Sequence, residues 1–428
     1  MEDGFQRRTI LKISWRLLPL IVASYLVAYI DRTNVAFASL TMNKDLGISS
    51  YTYGWGAGIF FLGYALFEVP SNLILDRVGA RRWIARIMIT WAIVSAAMAL
   101  ATGPTSFLVL RFLLGVAEAG FFPGVIYYLS IWFPARYRGR VISALFLAVP
   151  VSNALASAIS GAILEMDGIG GLRGWQWVFI LEAMPAVLLA FVVLRQMTDR
   201  PAAAAWLDDR EKAWLESELA AERSAVQAGG HLSVRKALTH PRVLMLSLMY
   251  MTSVTASYGI VFFLPQIVKG FGQSNVMTGL LTAIPYTIGV LGLLAWGWSS
   301  DRHHERRWHL AAAMAVAAVG LFGVAWLGQS YWALAAMSVA TIGLYGSRPC
   351  FWPMPSMFLT GAAAAGGIAL INSLGNLGGY VGPFIVGWIK DSTKSFEMGL
   401  YFLAACALAS AVITAFAART GDAGPRPS

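Results

Sequence analysis

The 428-residue sequence is short of charge, cysteine and histidine. Asp, Glu, Lys and Arg make up only 13% of it, against roughly 25% in a typical soluble globular chain. Hydrophobic residues make up 57%, and the mean hydropathy is +0.63. These figures exclude a water-soluble enzyme. They also exclude disorder, which goes with few apolar and aromatic residues. The two cysteines, Cys350 and Cys406, fall in apolar runs, so neither a disulfide framework nor a zinc site is supported. The five histidines, His231, His240, His303, His304 and His309, stand in polar segments, which leaves none for an intramembrane proton relay or a metal site. No nucleophile elbow or phosphate loop stands in a suitable context, so the chain is expected to be neither an enzyme nor dependent on a cofactor. A cleavable signal peptide is not expected either, because residues 1–16 are charged and the first apolar run is long enough to span.

What the sequence does have is twelve apolar runs, at about 15–36, 53–75, 83–101, 107–133, 141–164, 175–194, 243–268, 278–298, 310–327, 331–358, 362–389 and 396–418. About 20 apolar residues cross a bilayer's hydrocarbon core. The expected fold is therefore an all-α membrane protein of twelve transmembrane helices in two six-helix bundles. Residues 1–195 form the first bundle, 243–428 the second, and the polar stretch 196–242 a linker. In the linker, Asp199-Arg200-Pro201 stops a helix, since the residue before proline is pushed out of the α region. Asp208 and Glu211 have capping-box spacing, and Leu207, Trp214, Leu215 and Leu219 recur as on an amphipathic surface helix.

A net charge of +10 would suggest nucleic acid in a soluble protein; in a membrane protein its placement matters more. With the N-terminus taken as cytoplasmic, 24 of the 32 basic residues fall in inner segments, Arg419 and Arg426 among them, and 5 in outer ones. By the positive-inside rule both termini are cytoplasmic in a cell inner membrane. The basic excess then serves orientation and anionic headgroups, and no nucleic-acid partner is implied.

Asp76, Arg77, Arg81, Arg82 and Trp83 recur 225 positions later as Asp301, Arg302, Arg306, Arg307 and Trp308. Each set joins the second and third span of its half. Repeated six-span halves are a transporter signature, with the substrate site between them. The acid–arginine pairs suit a latch that breaks when the halves rock.

Three basic residues, Arg32, Arg111 and Arg348, and four acids, Asp31, Glu68, Glu118 and Glu182, fall within spans. A charge at the bilayer centre costs about 2.5–3.5 kcal/mol on insertion scales, so each needs a partner or a wet cavity. Tyr29 shares a helical face with Arg32, and Arg111 one with Glu118. In the functional reading Arg32 and Arg111 bind an anion through their forked donors, while Asp31 and Glu118 take up and release protons. A structural ion-pair network between the first and fourth spans is the other reading, and the two are compatible. For Glu68 and Glu182 structural roles are expected, and Tyr64, one turn before Glu68, is the better cavity residue. In the second half, Arg348 and Trp352 share a face, as do Asn372 and Asn376 in a glycine-rich span. Trp352 either covers a substrate or packs; the buried amide of Asn372 requires a partner.

These residues carry a resemblance. The segment Asp76-Arg77-Val78-Gly79-Ala80-Arg81-Arg82 resembles the loop signature of the major facilitator superfamily. Residues 111–124 (RFLLGVAEAGFFPG), Trp132-Phe133-Pro134, Arg138-Gly139-Arg140, residues 29–34 (YIDRTN) and 174–182 (GWQWVFILE) are similar to its anion:cation symporter branch. The resemblance implies two bundles with alternating access that import a small organic anion with protons. Bacterial members of that branch carry tartrate, phthalate, hydroxyphenylacetate, hexuronates and galactonate. Carried over by position, it puts the proton carriers at Asp31 and Glu118 and the substrate contacts at Tyr29, Arg32, Tyr64, Arg111, Trp352 and Asn372. Arg348 departs from the small or neutral residue expected there. It is either a third cation, suited to a dicarboxylate, or a residue that snorkels or pairs with Glu68 or Glu182. His303-His304-Glu305 replaces Val78-Gly79-Ala80 in the second loop, which points to a weaker latch. Function as a monomer is expected, and sodium in place of the proton stays open. The same fold also admits an exporter or antiporter. The glycine-proline-glycine motif of drug antiporters is missing from residues 148–153 of span five, although Gly378 to Pro383 in span eleven is similar in composition.

Overall fold

The computed structural model describes residues 2–228, 239–356 and 361–417. His231, Arg419 and Arg426 lie outside the described residues. Within them every regular element is helical: α1 (Glu2–Asp45), α2 (Ser50–Val78), α3 (Ala80–Ala97), α4 (Pro104–Glu118), α5 (Phe121–Trp132), α6 (Ala135–Ile163), α7 (Gly174–Gln196) and α8 (Asp209–Ala228). The second half holds α9 (Pro241–Lys269), α10 (Asn275–Arg302), α11 (Arg307–Leu327), α12 (Trp332–Phe351), α13 (Pro353–Ser356), α14 (Gly361–Asn376), α15 (Gly378–Thr393) and α16 (Glu397–Ala417). Only helices and closed barrels satisfy every backbone N–H and C=O in hydrocarbon, so apolar runs of this length fold as helices.

Ten runs among the described residues are long and apolar enough to cross a bilayer, the tenth being the last, Glu397–Phe416. The two further expected spans correspond to α12 and to the α14–α15 pair. α12 has the length, but Thr341, Tyr345, Ser347 and Arg348 dilute its apolarity. α14 and α15, at 16 residues each, span only in tandem across the break at Leu377.

The fourth expected span is also broken. α4 ends at Glu118, and Gly120 adopts a left-handed φ of 86° before α5 begins. A Cβ at Gly120 would lie 2.3 Å from Ser71 Oγ, so only glycine fits both the φ and the space. The break leaves Glu118 at a helix end instead of mid-span.

At the end away from the linker the halves are zipped by small residues. Gly54 of α2 lies on Gly387 and the Pro383 carbonyl of α15, and Gly279 of α10 lies on Gly161 and the Ser157 carbonyl of α6. With no hydrophobic drive between helices in lipid, such backbone approach is what joins them. The two seams are equivalent by the internal repeat.

α8 lies against the linker-side end of the first half. Asp208 Oδ1 accepts from the Glu211 N–H (2.7 Å) and Glu211 Oε2 from the Asp208 N–H (2.9 Å), a reciprocal capping box. Leu207, Leu215 and Leu219 are buried. Glu211 pairs with Lys12 at 2.6 Å and Glu222 with Arg138 at 2.7 Å, while Trp206 stacks on Trp132 at 5.3 Å.

Candidate functional site

A cavity of about 500 Å³ of empty space, part of it open, lies between the halves. The first half lines it with Tyr25, Tyr29 and Arg32 of α1, Phe61 and Tyr64 of α2, Phe122 of α5 and Phe146 of α6. The second half contributes Tyr250 and Tyr258 of α9, Arg348 and Trp352, and Asn372 and Asn376 of α14. Of the expected substrate contacts, Tyr29, Arg32, Tyr64, Arg348, Trp352, Asn372 and Asn376 therefore meet on one cavity.

Arg32 is the best-held group. Its Nη2 donates to Glu118 Oε1 in a buried ion pair, and Nη1 donates to Tyr258 Oη of the other half at 3.3 Å. The rings of Tyr29, Phe60 and Tyr64 surround its guanidinium at 4.9, 5.2 and 5.4 Å. Burying such a pair is tolerable only with this degree of hydrogen bonding. Arg348 differs: it forms no ion pair among the described residues, and its electrostatic neighbours are the phenols of Tyr250, Tyr29, Tyr258 and Tyr345. The Nε of each of these two arginines is buried without a hydrogen-bond partner among the described residues. Neither Glu68 nor Glu182 pairs with it. Trp352 stacks across the cavity on Phe146 at 6.1 Å. Asn372 Nδ2 donates to Glu68 Oε1 at 3.1 Å, so the amide's partner is an acid of the opposite half.

Arg111 is not on this cavity. Fully buried, it donates through Nε to the Gly56 carbonyl at 3.1 Å and through Nη2 to Ala57 O at 3.4 Å. Nε and Nη2 are thus taken by backbone, while Nη1 is buried without a partner among the described residues; the expected anion contact therefore does not reach the cavity. Asp31 also points away: its Oδ1 accepts from Ser95 Oγ of α3 and from Asn34 Nδ2 at 3.1 Å.

The first of the repeated loops contacts its own half and the start of the linker, and the second contacts its own half. Asp76 accepts from Tyr127 Oη at 2.7 Å, while Arg81 is held by Asp199, whose Oδ1 accepts the Arg81 N–H at 2.8 Å. Arg77 and Arg82 are exposed. In the second copy Asp301 pairs with Arg306, Arg302 lies over Trp298 at 5.4 Å, and Arg307 donates to the Ala415 carbonyl of α16. Glu305 accepts from the N–H groups of Trp308 and His309 and from His309 Nδ1. Partial burial pushes its carboxyl up, but these three bonds outweigh that and hold it below the usual carboxylate value.

Tyr25, Phe61, Phe122, Phe146, Tyr250 and Tyr258 line the cavity without having been singled out in the sequence. One signal was present: Tyr25, Tyr29 and Arg32 stand at i, i+4 and i+7 on one helical face. The others sit among apolar neighbours and carry no such mark.

Two six-span halves around a tyrosine-lined, arginine-bearing cavity define a polytopic membrane transporter. The chain belongs to the Major Facilitator Superfamily: the family model of that description matches residues 21–383 and also 246–427. It is 50% identical over 98% of its length to a protein named "Putative tartrate transporter" from Agrobacterium vitis, covering 94% of that protein. A "Quinolone resistance transporter" of Acinetobacter baumannii is 46% identical, with 96% of this chain and 95% of that protein covered. Among solved structures, the xylose transporter XylE from E. coli in a partially occluded inward open conformation superposes with a TM-score of 0.74 at 15% identity, covering 97% and 100% of the two chains. A bacterial homologue of the human lysosomal transporter Spinster gives 0.73 at 18%, covering 95% and 96%. At these identities the likeness concerns the fold.

Proposed function

We propose that this transporter imports a small organic anion, a carboxylate, by proton symport with alternating access. The observation that carries the proposal is the pair of arginines on the cavity, Arg32 from one half and Arg348 from the other, of which only Arg32 has an acid partner among the described residues. A carboxylate can displace Glu118 from Arg32, because both compete for the same forked donor. Glu118 then loses its counter-charge in an apolar surrounding and takes a proton. Substrate and proton affinities rise together, which is the reciprocity that coupling requires. Arg348 suits a second anionic group, so a dicarboxylate or an aldaric acid fits better than a monocarboxylate. The name of the tartrate-type relative agrees with that class. Asp31 acts as the second proton carrier, Arg111 holds the backbone of α2 beside the site, and the monomer is the transporting unit of the inner membrane.

A second reading, export of an aromatic drug-like compound, is favoured by the name of the Acinetobacter relative and by the aromatic lining. Uptake of labelled carboxylates, tartrate among them, into proteoliposomes with and without an inward proton gradient separates the two. Gradient-driven accumulation of a dicarboxylate supports symport. Quinolone efflux against the gradient with no carboxylate uptake supports the second reading and removes the first.

A further inference from the structure

Behind the cavity wall, inside the first half, lies a second group of buried polar residues that the transport reading does not use as a unit. It draws on four helices: Asp31 and Asn34 from α1, Ser95 from α3, Ser160 from α6 and Glu182 from α7. Asp31 is 2% exposed, Asn34 0% and Glu182 4%. None of the five lines the cavity.

Each carboxyl in the group is hydrogen-bonded on one side only. Asp31 Oδ1 accepts from Ser95 and Asn34, and Glu182 Oε1 accepts from Ser160 Oγ at 2.5 Å. Asp31 Oδ2 and Glu182 Oε2 are buried and accept nothing. A carboxylate needs donors on both oxygens, whereas a carboxylic acid needs them only on its carbonyl oxygen and offers an O–H from the other. That O–H needs an acceptor, and Asn34 Oδ1 is also buried with no donor on it. The Asn34 side chain faces Glu182 as well as Asp31. Buried acceptors without donors are costly, and protons on the two acids reduce the number left in that state.

The charged groups facing Asp31 are Glu118 and Arg111 of α4, and the one facing Glu182 is Asp31. Glu118 is the member of the row paired with a cation, Arg32. Carboxyls therefore run inward from the cavity wall in the order Glu118, Asp31, Glu182, each within electrostatic reach of the next.

We propose that Asp31, Asn34 and Glu182 form a proton-binding site inside the first half, and that Glu182 carries a proton of its own through the transport cycle. This rests on the symport reading and adds one coupled proton per substrate. A charge change at Glu118 reaches Asp31 and then Glu182, so substrate arriving at Arg32 alters the site without touching it. The released proton passes to water when the halves rock.

Two measurements on the full-length protein test this. Infrared difference spectra of purified wild type and Glu182→Gln at neutral pH report neutral carboxylic acids directly. The variant is expected to lose one carboxylic C=O band; an unchanged band pattern overturns the proposal. In proteoliposomes, the proton-to-substrate ratio is read from the gradient at which net uptake of the labelled dicarboxylate chosen by the uptake panel stops. Glu182→Gln is expected to lower the ratio by one while sparing counterflow, and an unchanged ratio overturns the proposal even if the band is lost. If Glu182→Gln does not fold, Ser160→Ala decides. Loss of its donor should move the carboxylic band and shift the pH midpoint of uptake to higher pH, because the ionised acid loses a hydrogen bond. An unmoved band and midpoint overturn the proposal. Wild-type uptake that ignores the proton gradient would instead strike the symport reading, with the infrared result still standing.

Discussion

Adding one methyl group at the glycine seams should change which way the transporter faces. A Cβ on Gly54 would sit 2.3 Å from the Pro383 carbonyl oxygen and 3.0 Å from Gly387 Cα; one on Gly279 would sit 2.4 Å from the Ser157 carbonyl oxygen. The obstructing atoms are backbone, so no rotamer change relieves them, and the helices must part by about 1 Å to reach ordinary contact. Overpacking of this kind costs about 1–3 kcal/mol. Because the seam exists only in the arrangement closed at this end, the cost falls on that arrangement alone. At about 1.4 kcal/mol per factor of ten, the equilibrium should move roughly 5- to 150-fold toward the opposite arrangement. The assay places a cysteine at cavity residue Asn376, with Cys350 and Cys406 replaced by alanine. Its labelling by a membrane-impermeant maleimide is then timed from the face opposite the linker. Gly54→Ala and Gly279→Ala should each speed labelling by that factor. Gly103→Ala, where a Cβ meets nothing within 4 Å, should not. Labelling in Gly54→Ala at the wild-type rate, in a protein that still melts cooperatively, would refute the assignment of the seam as the closing contact.

Two further outcomes follow from the site and the loops. Arg348→Ala removes a charged donor set worth about 1.5–3 kcal/mol per hydrogen bond to a charged partner. Competition in counterflow should show roughly 10- to 150-fold weaker binding of a dicarboxylate, with a matched monocarboxylate unchanged; equal losses for both would contradict the two-arginine site. Glu305→Gln should lower stability at neutral pH by an amount typical of an exposed ion pair, about 0.2–1 kcal/mol, read as a lower melting temperature. The folded state holds Glu305 below its ordinary value of 4.5, so this stability is present above that value and lost as pH falls through the lower folded one. The melting temperatures of wild type and variant should converge in acid, and a constant gap would contradict the assignment.

The span positions and the repeat were legible because hydropathy acts over 20 residues and the loop motif is a literal copy. The breaks at Gly120 and Leu377 were not, since each is one backbone turn inside an apolar run. Arg32 and Arg348 could be placed from the cost of burying a charge. That same argument could not distinguish Arg111, whose partners are the carbonyls of Gly56 and Ala57 and leave no trace in side-chain pattern. Glu68 was expected to be structural, and its partner, Asn372 of the opposite half, was not named by the sequence. Pairings between helices hundreds of residues apart are set by tertiary geometry, and a single sequence does not contain them. The tyrosines of α9 escaped for a related reason: a phenol in an apolar span looks like packing until its hydroxyl is seen against Arg32.

The central claim is that Glu118 couples proton movement to an anion held by Arg32. It is tested most directly by comparing wild type with Glu118→Gln in proteoliposomes, measuring accumulation of a labelled dicarboxylate under an inward proton gradient and exchange without one. The account predicts that the variant exchanges substrate but no longer concentrates it. Accumulation by Glu118→Gln that still follows the gradient would contradict it.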